Sequence, residues 1–230
     1  MFKRILIANR GEIALRILRC CSEMNIETVV VYSEADEDSL PVMLATHSVC
    51  IGPARAAESY LNEDVIVETA VKLGCDAIHP GYGFLSENAG FARKCRERGI
   101  IFIGPAAEII AKMGDKQAAR ELMQKSGVPV VPGSKGLVNS LEEAVAAEEV
   151  GYPVLIKAAF GGGGKGMRRA YDKEELAHAF EAARAEAKAA FGEDGVYVER
   201  LIEHPRHIEV QILADRYGNV TYLGERDCSV

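Results

Sequence analysis

The sequence predicts an α/β fold in which a parallel sheet with helices on both faces is followed by a second part that mixes antiparallel strands with helices. Three observations support this prediction. Short apolar strands alternate with amphipathic helices from residue 3 to about residue 103. A buried strand then runs into a glycine run that is followed by another strand, and residues 207–212 alternate strictly between polar and apolar side chains. A hydrophobic content of 48% is enough for a full core.

The first half of the chain supplies the elements of the parallel sheet. In the first helix Ile13, Ile17, Cys21 and Met24 recur every three or four residues, which gives one buried face. The predicted strands are 3–8, 28–32, 48–51, 76–79 and 101–103, and the predicted helices are 12–24, 64–73 and 87–98. Because ligands of such sheets lie beyond the carboxyl ends of the strands, the loops at that edge are the first places to search for a site.

Composition excludes several classes of function. The 230 residues carry a net charge of −7 without a basic block, which argues against nucleic-acid binding. The chain begins directly with a strand and holds no long apolar run, so neither a signal peptide nor a membrane span is expected. The six cysteines show no C-x-x-C spacing, which predicts reduced thiols in a cytoplasmic protein.

Asn9-Arg10-Gly11-Glu12 follows the first strand, where a dinucleotide-binding fold would place its glycines. The loop has only one glycine, so Glu34 and Asp36 after the second strand do not indicate a ribose site, and an NAD site is not expected. Taken alone, these four residues are best interpreted as a tight turn with a capped helix.

A second loop at the same predicted edge runs from His79 to Asn88. Its proline and two glycines fix a bent backbone that presents Tyr82 and Glu87. Two structural interpretations stay open, because Ser86 or Asn88 could cap the next helix and a lone histidine is more often structural than catalytic. Gly104-Pro105 ends this part of the chain, and a connecting helical stretch reaches about Lys125.

The glycine run Gly161–Gly164 follows the apolar strand Val154–Ile156, whose next residue is Lys157. Consecutive glycines let backbone N–H groups approach anionic oxygens closely, and phosphate is the usual occupant of such a nest. Met167–Ala170 is interpreted as a second strand and Asp172 as the N-cap of a helix from 173 to about 190. Strand, glycine turn and strand describe a flap over phosphates; the alternative is a flexible surface hairpin.

The end of the chain adds strands. Val196–Ile202 is interpreted as an apolar strand that ends in a polar turn; without the glycine run, an edge strand and turn would be the preferred interpretation. In the stretch from His207 to Ile212, His207, Glu209 and Gln211 share one face. A turn at Tyr217-Gly218-Asn219 leads into a last strand, Val220–Leu223.

Three strings carry a resemblance to a known family. Y-P-V-L-I-K-A-A-F-G-G-G-G-K-G-M (152–167) resembles the ATP-grasp glycine loop of biotin carboxylases and carbamoyl-phosphate synthases. I-L-I-A-N-R-G-E-I-A (5–14) and I-H-P-G-Y-G-F-L-S-E-N (78–88) resemble the N-terminal domain of biotin carboxylase. The resemblance covers essentially the whole chain. It implies a Rossmann-like pre-ATP-grasp domain at 1–112, a linker helix with the ATP-grasp lid at 113–203, and the first strands of an incomplete C-terminal ATP-grasp subdomain at 204–230.

The same resemblance implies two groups of site residues. Tyr82 and Gly83 would lie beside the ureido ring of biotin, and Glu87 would lie near bicarbonate. The residues that would hold ATP are Lys116 and Lys157 on the phosphates, Gly163 and Gly164 in the lid, Glu199 with the backbone of Arg200, Leu201 and Ile202 at the adenine, and His207.

By resemblance, the expected function is the ATP-dependent carboxylation of biotin on a biotin carboxyl carrier protein, with bicarbonate activated as carboxyphosphate. ATP and Mg²⁺ or Mn²⁺ are the implied cofactors, acetyl-CoA carboxylase of fatty acid biosynthesis is the implied context, and a homodimer contact on helix 12–24 is implied. The sequence ends at Val230, before the family's bicarbonate lysine, magnesium carboxylates and biotin arginines. We therefore expect an amino-terminal piece that is inactive alone and holds no catalytic or metal-ligating residue. Phe160 is a smaller departure, since a small residue is usual there.

Two other functions compete with this interpretation. One is another ATP-grasp ligase, such as a carbamoyl-phosphate synthase or a purine-pathway carboxylase, which would share the glycine flap but not the string from His79 to Asn88. The other is a non-catalytic nucleotide-binding or regulatory module.

Overall fold

A computed structural model describes residues 2–134, 136–146, 150–158, 167–192 and 194–229, without the side chains of residues 116, 117, 146, 190 and 191. The chain divides into two compact units, Met1–Val128 and Pro129–Val230, and each is described by itself. The finer domain boundaries expected at 112 and 203 stay predictions.

The first unit is built on a parallel five-stranded sheet with the strand order β3-β2-β1-β4-β5. Its strands are β1 (Arg4–Ile7), β2 (Glu27–Ser33), β3 (His47–Gly52), β4 (Ala77–His79) and β5 (Ile101–Phe102). Its helices are α1 (Gly11–Glu23), α2 (Leu40–Leu44), α3 (Glu63–Lys72), α4 (Ala89–Glu97), α5 (Ala107–Gly114) and α6 (Lys116–Lys125), with two 3₁₀ turns at Glu34–Asp36 and Ala56–Glu58.

Both faces of this sheet are buried, as a parallel sheet requires. On one side Leu6 packs in a core with Ile66 and Phe91, while on the other Ile5 and Ile7 pack against helix α1 residues such as Ile17. Each fully buried aliphatic side chain of this kind contributes about 1.5–3 kcal/mol. The predicted α/β class is therefore confirmed.

Three helix starts differ from the sequence prediction, and the smallest of these differences is α3, which begins at Glu63 instead of residue 64. Helix α4 begins at Ala89, two residues after the predicted start, because the Phe91 N–H donates to Asn88 Oδ1 (2.9 Å) and Asn88 becomes the N-cap. Helix α1 begins at Gly11 with Arg10 at its N-cap position and no side-chain cap. The interpretation of residues 9–12 as a turn with a capped helix was wrong on the cap, because the Asn9 side chain bonds elsewhere.

The second unit contains a three-stranded antiparallel sheet with the order β7-β6-β8. Its elements are β6 (Val154–Ala158), β7 (Met167–Ala170) and β8 (Val196–Arg200), with helices α7 (Leu141–Ala146) and α8 (Lys173–Phe191). Val154 and Ile156 alternate with the half-buried residues Leu155 and Lys157 and pack with Phe180 of α8, so one face of the sheet is buried and the other is open in part. The predicted cap is confirmed, since the Glu175 N–H donates to Asp172 Oδ1 (2.8 Å).

Strand β8 is shorter than predicted and stops at Arg200. The Arg200 N–H donates to Pro132 O (2.9 Å) on the other side of the strand. The Leu201 N–H still donates to Pro153 O (2.8 Å), but Pro153 has no N–H to donate in return, so the ladder ends here. The turn residues that follow lie at the rim of the open sheet face.

An antiparallel hairpin, β9 (Ile208–Ala214) and β10 (Val220–Asp227), ends the unit. Strand β9 begins one residue after His207, and β10 continues past the predicted Leu223 through a register shift between Tyr222 and Glu225. Its large apolar side chains are exposed; Val210 at 50% and Tyr222 at 71% are examples. No helix in the described ranges is both long enough and apolar enough to cross a membrane.

Candidate functional site

The loop after β4 brings three of the predicted residues to the carboxyl edge of the parallel sheet. Tyr82 is 61% exposed and the Glu87 side chain is also exposed. Gly83 has a φ of +67° and Gly81 a φ of +65°, the left-handed region that glycine adopts without strain. The two glycines thus bend the backbone of this loop at two points, and the side chains of Tyr82 and Glu87 are accessible to a ligand.

Phe84 adopts a φ of +42°, which is costly for a bulky residue. Its ring stacks on Tyr60 at a centroid distance of 5.0 Å, and the Arg10 guanidinium lies 5.6 Å from the Phe84 centroid and 5.4 Å from that of Tyr60. Stacking and cation–π contacts of this kind offset the backbone strain. The bent loop is thus supported from the sheet side.

His79 takes part in the same support. Its Nδ1 accepts a hydrogen bond from the Gly81 N–H (3.1 Å), and burial lowers the pKa of the imidazole. A neutral ring that accepts a backbone N–H fits the structural interpretation of this histidine.

Asp36, which follows β2, is used inside the protein. Its Oδ2 accepts from the Ser33 hydroxyl (2.6 Å) and the Tyr60 hydroxyl (2.8 Å), and Arg10 Nη1 lies at 3.4 Å. Burial of Asp36 works against ionisation, but these three hydrogen bonds prevail and lower its pKa. Burial raises the pKa of Tyr60 to about 12, so its hydroxyl stays protonated. The expectation that Asp36 does not mark a ribose site agrees with this internal role.

The open sheet face of the second unit carries a cation and a carboxylate in contact. Lys157 on β6 and Glu199 on β8 lie on that face, and Lys157 Nζ donates to Glu199 Oε2 at 2.6 Å. The Lys157 side chain is 38% exposed and that of Glu199 is 21% exposed. The ammonium group is thus held in place yet accessible to an anion.

A cleft of about 590 Å³ lies on the same unit. Its apolar lining comes from Leu155 and Met167 on the strands and from Leu201 and Ile202 after β8; its other lining residues are Arg169, Tyr171, Glu203, His204 and Pro205. No hydrogen bond of the Ile202 N–H is found among the described residues. An apolar slot with polar groups at its rim suits a flat ring that carries donors and acceptors on one edge.

The structure does not bring every predicted residue to this cleft. The Arg200 side chain is exposed at the end of β8, and His207 is not among the residues that line the cleft. His207 instead starts the hairpin, where its N–H donates to Ser229 Oγ (2.6 Å) and its carbonyl accepts from the Cys228 N–H (2.8 Å). Gly163 and Gly164 lie outside the described residues, as does the side chain of Lys116, whose backbone begins α6.

Sequence reasoning missed Leu155 and Met167 as lining residues. The signal was present, because Leu155 stands two residues before Lys157 in a strand and so shares its face. Met167 pairs with Lys157 across the β6–β7 ladder, a register that a flap prediction could have included. Within the residues whose side chains are described, no group of three or more histidine, cysteine or carboxylate side chains could hold a metal ion.

Comparison with known proteins places these sites in a family. Residues 1–110 match the family model for the biotin carboxylase N-terminal domain, and residues 115–230 match that for the ATP-binding domain of the carbamoyl-phosphate synthase L chain. The chain is 57% identical to Biotin carboxylase 1 of Bacillus subtilis over its whole length. The chain belongs to the biotin carboxylase family.

Other members of the family agree in sequence and in fold. The chain is 58% identical to the biotin carboxylase of Nostoc. The solved biotin carboxylase of Campylobacter jejuni, in a β-γ-ATP complex, has a TM-score of 0.88 at 51% identity, with 99% of this chain and 51% of that one covered. The biotin carboxylase domain dimer of Hydrogenobacter thermophilus 2-oxoglutarate carboxylase, with MgADP, ADP and bicarbonate, has a TM-score of 0.86 at 50% identity, with 100% and 51% covered.

The chain spans about half the length of the curated biotin carboxylases it matches, 51% of the Bacillus subtilis protein and 52% of the Nostoc protein. The family matches and the sequence identities confirm the predicted family for the residues present.

Proposed function

We propose that this chain contributes the ATP-binding cleft and the biotin-side loop to an ATP-dependent carboxylation of biotin. The observation that carries the proposal is the Lys157–Glu199 pair on the neighbouring strands β6 and β8. Met167 and Leu155, which line the apolar cleft, are the ladder partners of Lys157 and Glu199 respectively. Lys157 is the last residue but one of β6, and three residues separate that lysine from the glycine run Gly161–Gly164 in the sequence, so a polyphosphate bound by the glycines would come within reach of its ammonium group.

The charges of the pair suggest what Lys157 does when nucleotide binds. A lysine ammonium is a compact charge on a flexible four-carbon stem. Glu199 holds that charge at 2.6 Å in the free protein and keeps it at the cleft. On binding, Lys157 turns toward the phosphates and Glu199 remains at the adenine side.

The adenine is proposed to lie between Leu155, Met167 and Ile202. The backbone of Arg200 and Leu201 forms the rim, with both N–H groups already bonded to backbone carbonyls and hence rigid. Lys116, Gly163, Gly164 and His207 stay predicted ATP contacts. The structure of the Hydrogenobacter domain contains MgADP; ATP with Mg²⁺ is our proposed cofactor, and no residue described here is assigned to the metal.

At the first unit, Tyr82 and Gly83 are proposed to receive the ureido ring of biotin and Glu87 to lie near bicarbonate. Support comes from the family match over residues 1–110, from the exposed position of these side chains, and from the bicarbonate in the Hydrogenobacter structure. The biotin is proposed to arrive on a biotin carboxyl carrier protein in an acetyl-CoA carboxylase. The six unpaired cysteines fit a cytoplasmic location.

A homodimer is also proposed, since the Hydrogenobacter domain is a dimer. Arg16, Arg19 and Glu23 form an exposed stripe on α1 that could meet a second copy. Sedimentation velocity of the Arg19→Glu variant, compared with the unmodified chain, tests this contact; an unchanged dimer fraction would count against it.

Nucleotide binding is tested on this chain by calorimetric titration with ATP. We expect Lys157→Ala to weaken ATP binding by about tenfold or more, because a desolvated cation–phosphate contact is lost. Lys173→Ala, which removes an exposed lysine at the start of α8, is the matched control and should leave the affinity unchanged. Equal affinities for all three proteins would contradict the cleft assignment.

The reaction is tested on the full natural gene product by ADP release with bicarbonate and magnesium, with and without free biotin. Stimulation by biotin that is lost in Lys157→Ala and Lys116→Ala supports the carboxylase. Stimulation by ammonia or glutamine would instead indicate the carbamoyl-phosphate reaction, and nucleotide binding without turnover would indicate a regulatory module. We expect the 230-residue chain alone to show no biotin-dependent ADP release; clear turnover would contradict that expectation.

A further inference from the structure

The short loop between β1 and α1 lies directly behind the loop from His79 to Asn88. Asn9 is only 3% exposed, and its Nδ2 donates to the carbonyl oxygens of Pro80 (2.7 Å) and Tyr82 (2.8 Å). Its Oδ1 accepts from the Arg10 N–H at 2.8 Å. The Asn9 amide nitrogen therefore donates both of its hydrogen bonds to the loop from His79 to Asn88, which is more than seventy residues away in sequence.

A second tie reaches the same tyrosine from helix α1. The Tyr82 hydroxyl donates a short hydrogen bond to Glu12 Oε1, and this bond raises the pKa of Tyr82. Asn9 thus holds the backbone carbonyl of Tyr82 while Glu12 holds the far end of its side chain. An exposed tyrosine on a loop with two flanking glycines would otherwise sample many orientations.

We propose that Asn9 and Glu12 are positioning residues that hold Tyr82 in the orientation that receives the ureido ring of biotin. The inference rests on the proposed function for the identity of the ligand, but the positioning itself rests on the contacts. A group held in its binding conformation before the ligand arrives loses less entropy on binding, which favours affinity for that ligand alone.

Space behind the loop is equally restrictive. A Cβ on Gly81 would lie 2.8 Å from Asn9 Nδ2, so the backbone approaches Asn9 as closely as only glycine permits. Asn9 therefore sets both the hydrogen bonds and the distance of the loop from the sheet edge.

The first test uses Asn9→Asp, which keeps the shape of the side chain and turns its donor into a second acceptor that faces two carbonyl oxygens. The matched control is Asn62→Asp, because Asn62 uses its Oδ1 to accept from the Val65 N–H (3.3 Å) at the start of α3 and an aspartate keeps that bond. We expect hydrogen exchange of the amides in residues 81–86 to become about tenfold faster in Asn9→Asp, with strand β2 unchanged, and no change in Asn62→Asp. Equal exchange in all three proteins would overturn the inference.

The second test uses Glu12→Ala on the exposed surface, where the chain is expected to fold normally. Spectrophotometric titration of the tyrosines should show one tyrosine that ionises at lower pH than in the unmodified chain, because its carboxylate partner is gone. An unchanged titration would overturn the tie between Glu12 and Tyr82.

The third test measures biotin-dependent ADP release by the full natural gene product. Asn9→Asp and Glu12→Ala should each raise KM for biotin by about tenfold while KM for ATP stays within about twofold, which a general loss of stability would not produce. Biotin dependence with an unchanged KM for biotin in both variants would overturn the inference. If the unmodified enzyme shows no biotin dependence, the proposed function fails instead, and the exchange data alone decide whether Asn9 positions the loop.

Discussion

Replacing Tyr60 by phenylalanine removes one oxygen atom from the centre of the first unit and leaves the aromatic ring in place. Tyr60 is fully buried, and its hydroxyl donates to Asp36 Oδ2 (2.8 Å) and accepts from the Ser33 N–H (3.0 Å). The stacking on Phe84 survives the change. The variant therefore isolates the contribution of the hydroxyl to the network behind the biotin-side loop.

The expected loss follows from those two bonds. A hydrogen bond to a charged acceptor contributes about 1.5–3 kcal/mol, and a buried N–H left without an acceptor costs about 1–3 kcal/mol. Asp36 keeps its bond from Ser33 Oγ (2.6 Å), and phenylalanine is the more apolar residue, so the two contributions do not add in full. We expect the free energy of unfolding to fall by about 2–4 kcal/mol.

Urea denaturation followed by circular dichroism measures this loss. With a slope of about 2 kcal/mol per molar urea, the midpoint of the first unit should move down by about 1–2 M. Tyr171→Phe, at a tyrosine that is 51% exposed, is the control and should move the midpoint little. A change below about 0.5 kcal/mol in Tyr60→Phe would refute the reasoning, because ordinary surface substitutions reach that size.

The pH dependence of the same difference gives a second check. The folded-state pKa of Asp36 is lowered, so its contribution is present above the unfolded pKa and is lost as pH falls through the folded value. The unmodified chain therefore loses more stability below about pH 4 than the Tyr60→Phe variant does, and the difference between them should shrink at about pH 3. A difference that grew on acidification would contradict the assignment of Asp36 as the charged acceptor.

Three further predictions concern single residues. Gly81→Ala should lower the free energy of unfolding in urea by about 2–4 kcal/mol, whereas Gly99→Ala, which also has a positive φ but nothing within 4 Å, should cost only about 1–2 kcal/mol; equal losses would contradict the close contact with Asn9. Because burial lowers the pKa of His79, the folded state binds fewer protons than the unfolded one, and stability is lost as pH falls through about 6.5. His79→Asn should flatten this dependence of the free energy of unfolding on pH, whose slope is at most about 1.4 kcal/mol per pH unit. An unchanged slope would be inconsistent with a buried imidazole. Asp172→Ala should cost about 1 kcal/mol in thermal unfolding of α8 while Asp172→Asn costs little, and equal losses would argue against the cap.

Local patterns were enough to predict most of the fold. The three- and four-residue spacing of Ile13 and Ile17 gave helix α1, and Asp172 before a helix-forming run gave the start of α8, because both signals act within one or two turns. Short helices such as α2 (Leu40–Leu44) and α7 (Leu141–Ala146) were not predicted. Runs of five or six residues carry too little periodicity to be recognised.

The contacts that build the candidate sites could not be predicted in the same way. Lys157 meets Glu199 only because β6 and β8 pair in one register, and register depends on the whole sheet. Asn9 looked like part of a turn because its partners, Pro80 and Tyr82, stand more than seventy residues further along the chain. The resemblance supplied the identities of the ligands, whereas the positioning role emerged only from the tertiary contacts.

The terminal hairpin has a practical consequence for handling this chain. Its two strands carry exposed apolar side chains such as Ile212 (53% exposed) and Val220 (69% exposed). Within the described part of the chain the outer backbone edges of these strands pair with no further strand, so they too can bind other molecules. Excluded salts such as sulfate strengthen the burial of such surface, whereas low urea weakens it. Salting-out should therefore begin at lower ammonium sulfate for this chain than for an Ile212→Lys, Val220→Lys variant. Light scattering during a salt titration would report the difference.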